Sequence, residues 1–249
     1  MAAPAQAIGT TCTVFRPTVL GEGGVKHPVV IWGNGTGGNP GVYTWLLAHW
    51  ATHGFVVIAA QTASAGTGAE MVACLDWIEA QNSASGSVYN GKIALSRAAA
   101  SGHSQGGGGT LMAGRDPRFV TTVPFMAYTQ QGFGGFDQAS IPQQKGAMLL
   151  MSGSADTIAN PAANQQPVFM NTNVPVLWGT LTGADHVTFA LGLTLGGGGA
   201  AVIGYLGPST AWLRLHLMCD ESARPMFYGT PACTLCQDSK WTVQRKGIN

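Results

Sequence analysis

This chain carries little charge. Only 9% of its 249 residues are Asp, Glu, Lys or Arg, against roughly 25% in an average globular protein. The formal net charge is +1, and no basic or acidic block occurs. Nucleic acid is therefore excluded as an expected partner, because phosphate binding needs clustered Lys and Arg. Surface ion-pair networks are excluded as a main source of stability. The start, Met1-Ala2-Ala3-Pro4-Ala5-Gln6, has neither the basic n-region nor the apolar core of a signal peptide. It reads as a mature N-terminus behind an added initiator Met. A membrane span is absent too. The uncharged stretch Val187 to Leu213 is broken by Gly196–Gly199, Gly204, Gly207 and Pro208, and reads as loop plus the start of a helix. There is no fixed-period repeat, no linker that would cut the chain in two, and no long insertion that would build a lid.

Cysteine is scarce and odd in number. The five are Cys12, Cys74, Cys219, Cys233 and Cys236. Cys233-Thr234-Leu235-Cys236 has no second pair at zinc-finger spacing and no βα context, so zinc and redox readings give way to a disulfide stapling the C-terminal tail. That suggests an oxidising compartment. The pairing stays open, and at least one thiol is left free or pairs outside the chain. Cys74 and Trp77 read as packing or disulfide residues rather than ligands.

What is plentiful is apolar residues, 45% of the chain, and 36 glycines. Short strands are expected at Thr11–Arg16, Pro28–Trp32, Phe55–Ala60, Ala98–Ser101, Phe119–Pro124, Ala147–Ser152 and Val174–Leu181. Helices are expected at about Val42–His53, Gly68–Gln81, Thr110–Gly114 and Ser209–Met218. Such alternation implies one α/β domain over residues 1–249, with a mostly parallel central sheet, helices on both faces and no lid domain.

Gly102-His103-Ser104-Gln105-Gly106 sits between one such strand and helix and fits the G-x-S-x-G nucleophile elbow. A serine hydroxyl is a weak nucleophile. It needs a base in hydrogen-bond reach and a third group to hold that base. In this architecture sites lie at the carboxyl ends of strands. Ser104, Asp156 and His186 each follow a strand, in the order Ser, acid, His. Among other acids, Asp116 reads as a turn residue, Asp137 lies in a glycine-rich loop, and Asp185 adjoins His186. Asp156 also has the ordinary reading of a turn or cap aspartate. Among histidines, His27, His49, His53 and His103 precede or abut the serine, and His216 lies in an apolar helix. Two N–H donors are needed for the oxyanion. Gln105 is the first, and the loop after an early strand supplies the second, from Asn34 with Gly35 next. A glycine-rich turn with no chemistry is the plain alternative for both segments.

With those residues in place, the sequence resembles secreted α/β-hydrolases of the cutinase-like, dienelactone-hydrolase-related group that includes bacterial polyester (PET-type) hydrolases. The resemblance runs from about Thr11 to Trp241. It rests on His53-Gly54-Phe55-Val56-Val57-Ile58, on the elbow Gly102–Gly109, on Asp156-Thr157-Ile158-Ala159, on the loop at His186, and on Trp212 with its cysteine-bearing tail. It implies the α/β-hydrolase fold and Ser104, Asp156 and His186 as triad. It implies Gln105 where such enzymes carry methionine, and Asn34 near their aromatic oxyanion residue. It implies Tyr128 at their substrate-stacking tryptophan, with ordinary aromatic packing as the alternative, and Ile158 at their apolar cleft residue. The loop Trp32–Gly38 lacks the family's aromatic and the histidine loop is altered, so ester hydrolysis carries over further than polymer hydrolysis. The resemblance thus implies a secreted, monomeric serine esterase acting on polyesters such as cutin or PET and on short esters, without metal or organic cofactor. Alternatives are an acetyl or feruloyl esterase, a small-ester or lactone hydrolase, and a non-catalytic binding protein of the same fold. The last would normally lack a triad member, and here each has a candidate.

Overall fold

The computed structural model describes residues 1, 6–8, 11–191, 199–229 and 233–249. Among them run nine strands in one sheet, β1 (Gln6–Ile8), β2 (Cys12–Phe15), β3 (His27–Gly33), β4 (Val56–Ala60), β5 (Ile93–His103), β6 (Phe119–Phe125), β7 (Ala147–Gly153), β8 (Val176–Leu181) and β9 (Trp241–Lys246). Their order is β1-β2-β4-β3-β5-β6-β7-β8-β9. The interior from β4 to β8 is parallel, while β1, β2 and β9 pair antiparallel at the two edges.

The uninterrupted apolar runs follow from burial on both faces. Along β3, Val30 and Trp32 enter one core while Val29 and Ile31 enter the other. Alternation persists, but both sides are dry, so no polar residue marks it. Helices α1 (Thr44–Thr52) and α6 (Gly199–Met218) cover the first face through Leu46, Trp50, Trp212 and Leu213. Helices α2 (Ala69–Ser83), α3 (Gln105–Ala113) and α4 (Pro161–Asn171) cover the other through Leu75, Ile78, Leu111 and Val168. Two short helices, α5 (His186–Leu191) and α7 (Thr234–Gln237), complete the set.

Several expectations shift. Helix α6 begins at Gly199 rather than Ser209, and Pro208 lies inside it. A proline ring crowds the carbonyl of the residue one turn earlier and removes an N–H. Burial of Tyr205, Ser209, Trp212 and Leu213 outweighs that cost. Of the glycine cluster read as loop, residues 196–198 lie outside the described residues, as do residues 2–5 of the start. Helix α4 is not apolar enough to announce itself, yet its start is conventional, with Asn160 accepting from Ala162 N–H and proline at the first position. Strand β9 is an edge strand from the tail.

A disulfide does lie in the C-terminal tail, and a second lies elsewhere. Cys233–Cys236 closes only a local turn, whereas Cys12–Cys74 ties β2 to α2 across 62 residues. Cys219 is free and exposed. No helix among the described residues is long and apolar enough to cross a membrane.

Candidate active site

Strand β5 delivers the chain to Ser104 and α3 carries it away. Between them Ser104 takes φ 56°, ψ −119°, a strained conformation for a residue with a Cβ. The sharp reversal forces strand, helix and neighbouring loop into contact. A Cβ on Gly102 would lie 2.3 Å from the Gly106 carbonyl oxygen, and one on Gly106 would lie 2.1 Å from that of Gly33. Glycine is obligatory at both. Hydrogen bonds clamp the turn to the end of β6: Ser104 N–H donates to Phe125 O (3.1 Å) and Tyr128 N–H to Ser104 O (2.9 Å).

His186 opens α5, just past β8. Its Nε2 lies 2.8 Å from Ser104 Oγ and its Nδ1 2.7 Å from Asp156 Oδ2. The other oxygen of Asp156 accepts N–H bonds from Ile158 (2.9 Å) and Ala159 (2.8 Å). One Asp156 oxygen thus serves the turn at Ile158 and Ala159, and the other faces His186. All three side chains are buried, Asp156 to 1% exposure.

The competing acids are engaged elsewhere. Asp116 pairs with Arg118, Asp137 caps the turn at 138–143, and Asp185 accepts N–H bonds from Val187 and Thr188 at the start of α5. Partial burial pushes the Asp185 carboxyl up, but bonds from Thr188 and Val187 hold it lower overall. Of the histidines, His27 bridges Gly21 N–H and Gly54 O, and His49 packs on His53.

The oxyanion loop departs from expectation. Asn34 is fully buried and its Nδ2 donates to Ala60 O (2.7 Å) and Thr62 O (3.0 Å). Asn34 holds the loop down and does not line the cleft. Gly35 and Thr36 do. The Gly35 N–H is occupied, donating to Tyr43 Oη (3.0 Å). Thr36 N–H has no protein acceptor among the described residues. Gln105, first in α3, likewise keeps an N–H with no acceptor one turn back. Its side chain is not a cleft wall. It is buried under Gly66 and Gly134, with Oε1 unpaired.

The cleft itself is an open groove of about 570 Å³ over Ser104 and His186. Tyr128 and Ile158 line it, and so do Phe133, Val187 and Val42, which the sequence did not single out for a site. An aromatic isolated in Gly132-Phe133-Gly134-Gly135 was the available signal for Phe133. A larger cavity of about 850 Å³ lies at the opposite ends of the strands. Lys26, His27, His53 and Ser96 line it, but His27 is spent on Gly21 N–H and Gly54 O, and Arg97 donates to the Leu217 carbonyl at the end of α6 (3.3 Å). No cluster of three or more His, Cys, Asp or Glu among the described residues is arranged to hold a metal.

A family model described as PET hydrolase-like matches residues 6–223. The chain is similar to a bis(hydroxyethyl) terephthalate hydrolase of Streptomyces coelicolor, at 26% identity over 63% of this chain and 48% of the relative. It is similar to cutinase est2 of Thermobifida alba, at 31% identity over 72% of this chain and 56% of the relative. Cutinase 2 of Thermobifida cellulosilytica matches at 30% identity over 57% of this chain and 53% of the relative. The chain spans about half the length of these curated relatives.

Proposed function

The chain belongs to the PET hydrolase-like family, and from that premise we propose that it is a serine-dependent carboxylic-ester hydrolase acting on polyesters and short esters. The observation that carries this reading is the unbroken chain of bonds from Ser104 through His186 to Asp156. His186 Nε2 takes the Ser104 proton as Oγ attacks the ester carbonyl. Asp156 accepts the Nδ1–H bond and stabilises the imidazolium that forms. The tetrahedral oxyanion receives N–H bonds from Gln105 and, in place of Asn34, from Thr36. His186 then protonates the leaving alcohol, and water, activated by the same imidazole, hydrolyses the acyl-enzyme.

Substrate class is read from the rim. Ile158 is 52% exposed, Val187 51% and Phe133 40%, all around one cleft. Apolar side chains left in water beside a nucleophile suit contact with an apolar polyester chain. The names of the relatives, a terephthalate-ester hydrolase and cutinases, support cutin-like or terephthalate polyesters. The two disulfides support an oxidising, extracellular setting. We read residues 1–249 as one domain acting as a monomer.

Ser104→Ala tests the assignment. Turnover of a short p-nitrophenyl ester should fall by more than about 10³-fold with the melting temperature retained. Retained turnover would remove Ser104 from the mechanism. Films of aromatic polyester and cutin, alongside acetylated and feruloylated xylans, identify the substrate through the acids released.

A further inference from the structure

Tyr43 takes no part in the steps above, yet two parts of the site, the Gly35 loop and the end of β5 at His103, converge on its hydroxyl. It ends the turn Pro40–Tyr43 that leads into α1 and is 2% exposed. Its Oη accepts the Gly35 N–H (3.0 Å) and lies 3.0 Å from His103 Nδ1. Burial pushes the Tyr43 phenol up to about 12, against a smaller opposing effect of the Gly35 bond. The hydroxyl keeps its proton, and with the Gly35 N–H on its oxygen it is placed to donate a hydrogen bond to Nδ1. In that arrangement His103 carries its own proton on Nε2, a buried atom with no partner among the described residues. Burial, and then the neighbouring His186, push the His103 ring well below the ordinary histidine range. His103 thus stays neutral, its ring 4.5 Å from that of His186 and stacked at 4.8 Å on Phe189. Gly35 lies against all of this. A Cβ there would meet Tyr43 Oη at 2.9 Å, His103 Nδ1 at 3.1 Å and Ser104 Cβ at 3.3 Å.

We propose that Tyr43 is a positioning residue for the ester-hydrolase reaction: by accepting from Gly35 and donating to His103, its hydroxyl holds the loop that presents Thr36 N–H to the oxyanion. The proposal rests on the reading of the preceding subsection. It explains why the Gly35 N–H is spent on a side chain while the next N–H along the loop is left free. It also explains how an oxyanion loop with no aromatic of its own is kept rigid.

Tyr43→Phe removes the hydroxyl and keeps the ring against Trp32, 4.9 Å away. Losing an oxyanion donor outright costs about 10²- to 10³-fold in kcat, so loosening one should cost about 10- to 100-fold. KM for a short p-nitrophenyl ester should stay within about threefold, because the ground-state ester does not use the donor. Affinity for phenylboronic acid, whose adduct with a serine oxygen is tetrahedral and anionic, should fall in parallel with kcat. An unchanged kcat in a folded variant overturns the proposal. So does a rise in KM with unchanged boronate affinity, which is what general loosening of the cleft predicts. His103→Phe is the second variant, should Tyr43→Phe not fold. It keeps a stacked ring and removes the acceptor of the Tyr43 proton, and it should lower kcat and boronate affinity together, by about 3- to 10-fold. Losses by the two variants that multiply in the double variant would also count against a single network. If the wild-type chain hydrolyses no ester, the esterase reading fails, and boronate titration still decides the positioning claim because it needs no turnover.

Discussion

Tyr128 and Phe133 meet at 4.5 Å with their rings inclined by 51°, and both border the groove above Ser104. The Tyr128 backbone is tied to the elbow through its N–H bond to Ser104 O, so its ring is placed by the same turn that places the nucleophile. Phe133 stands on glycines with left-handed backbone, Gly132 at φ 81° and Gly134 at φ 58°. An aromatic pair of this kind contributes about 0.5 to 1.5 kcal/mol beyond its buried area. Tyr128→Ala and Phe133→Ala should each lower kcat/KM on an aromatic polyester oligomer about 2- to 10-fold. On the acetate of a small aliphatic alcohol the loss should stay under about twofold. Equal losses on both substrates would assign the pair to packing alone. At this scale the hydrogen-bonded cluster of Ser104, His186 and Asp156 was legible, because each member follows a strand, in the order Ser, acid, His. Thr36 was not. Nothing in Gly33-Asn34-Gly35-Thr36 says which peptide is spent on Tyr43 and which is free, since the acceptor comes from a different element.

Helix α6 shows how an element overrules its local sequence. Pro208 and the glycines beside it argue for a break, yet the helix runs through them, because Tyr205, Trp212 and Leu213 bury against the sheet. The same burial creates an acid-sensitive position. His216, half-buried in the last turn of α6, packs at 4.3 Å on Trp212 and its Nε2 has no partner. Burial pushes it down to about 4, with Arg224 adding to the effect and Glu221 opposing it. In the unfolded chain the same group titrates near 6.5. Between these values the unfolded state binds the extra proton, so stability falls as pH drops from about 6.5 to about 4 and is unaffected above. With partial solvent screening the loss is on the order of 2 to 3 kcal/mol. His216→Phe, which keeps the ring on Trp212, should flatten that part of the stability profile, measured as urea midpoints from pH 7 to 4. Some slope remains from His103, which is also buried neutral. Parallel profiles for wild type and variant would show that His216 takes up no proton on unfolding.

Across the whole molecule, the two disulfides differ in reach. Cys12–Cys74 spans 62 residues and binds the antiparallel edge to the face covered by α2, whereas Cys233–Cys236 spans 3. Chain-entropy arguments give about 4 kcal/mol for closing the long loop and about 2 for the short one. Cys12→Ser with Cys74→Ser should therefore lower the unfolding free energy by roughly twice as much as the pair Cys233→Ser, Cys236→Ser, read from denaturant melts. The reverse order would put the main staple at the tail, where the clustering of cysteines in the sequence suggests it.

Local chemistry was written in the sequence itself. The alternation of strand and helix, the elbow at Ser104 and the strand-end positions of Asp156 and His186 depend on residue type and spacing along a few residues. Those features survive without knowing what packs on what. Tertiary structure alone decided the choice among equivalent backbone groups and the fate of marginal segments. It buried Asn34 and left Thr36 N–H free, turned the Gln105 side chain under Gly66 and Gly134, brought Phe133 to the cleft and carried a helix through Pro208. Each outcome depends on a partner distant in sequence, through burial or a hydrogen bond whose other half no local pattern contains.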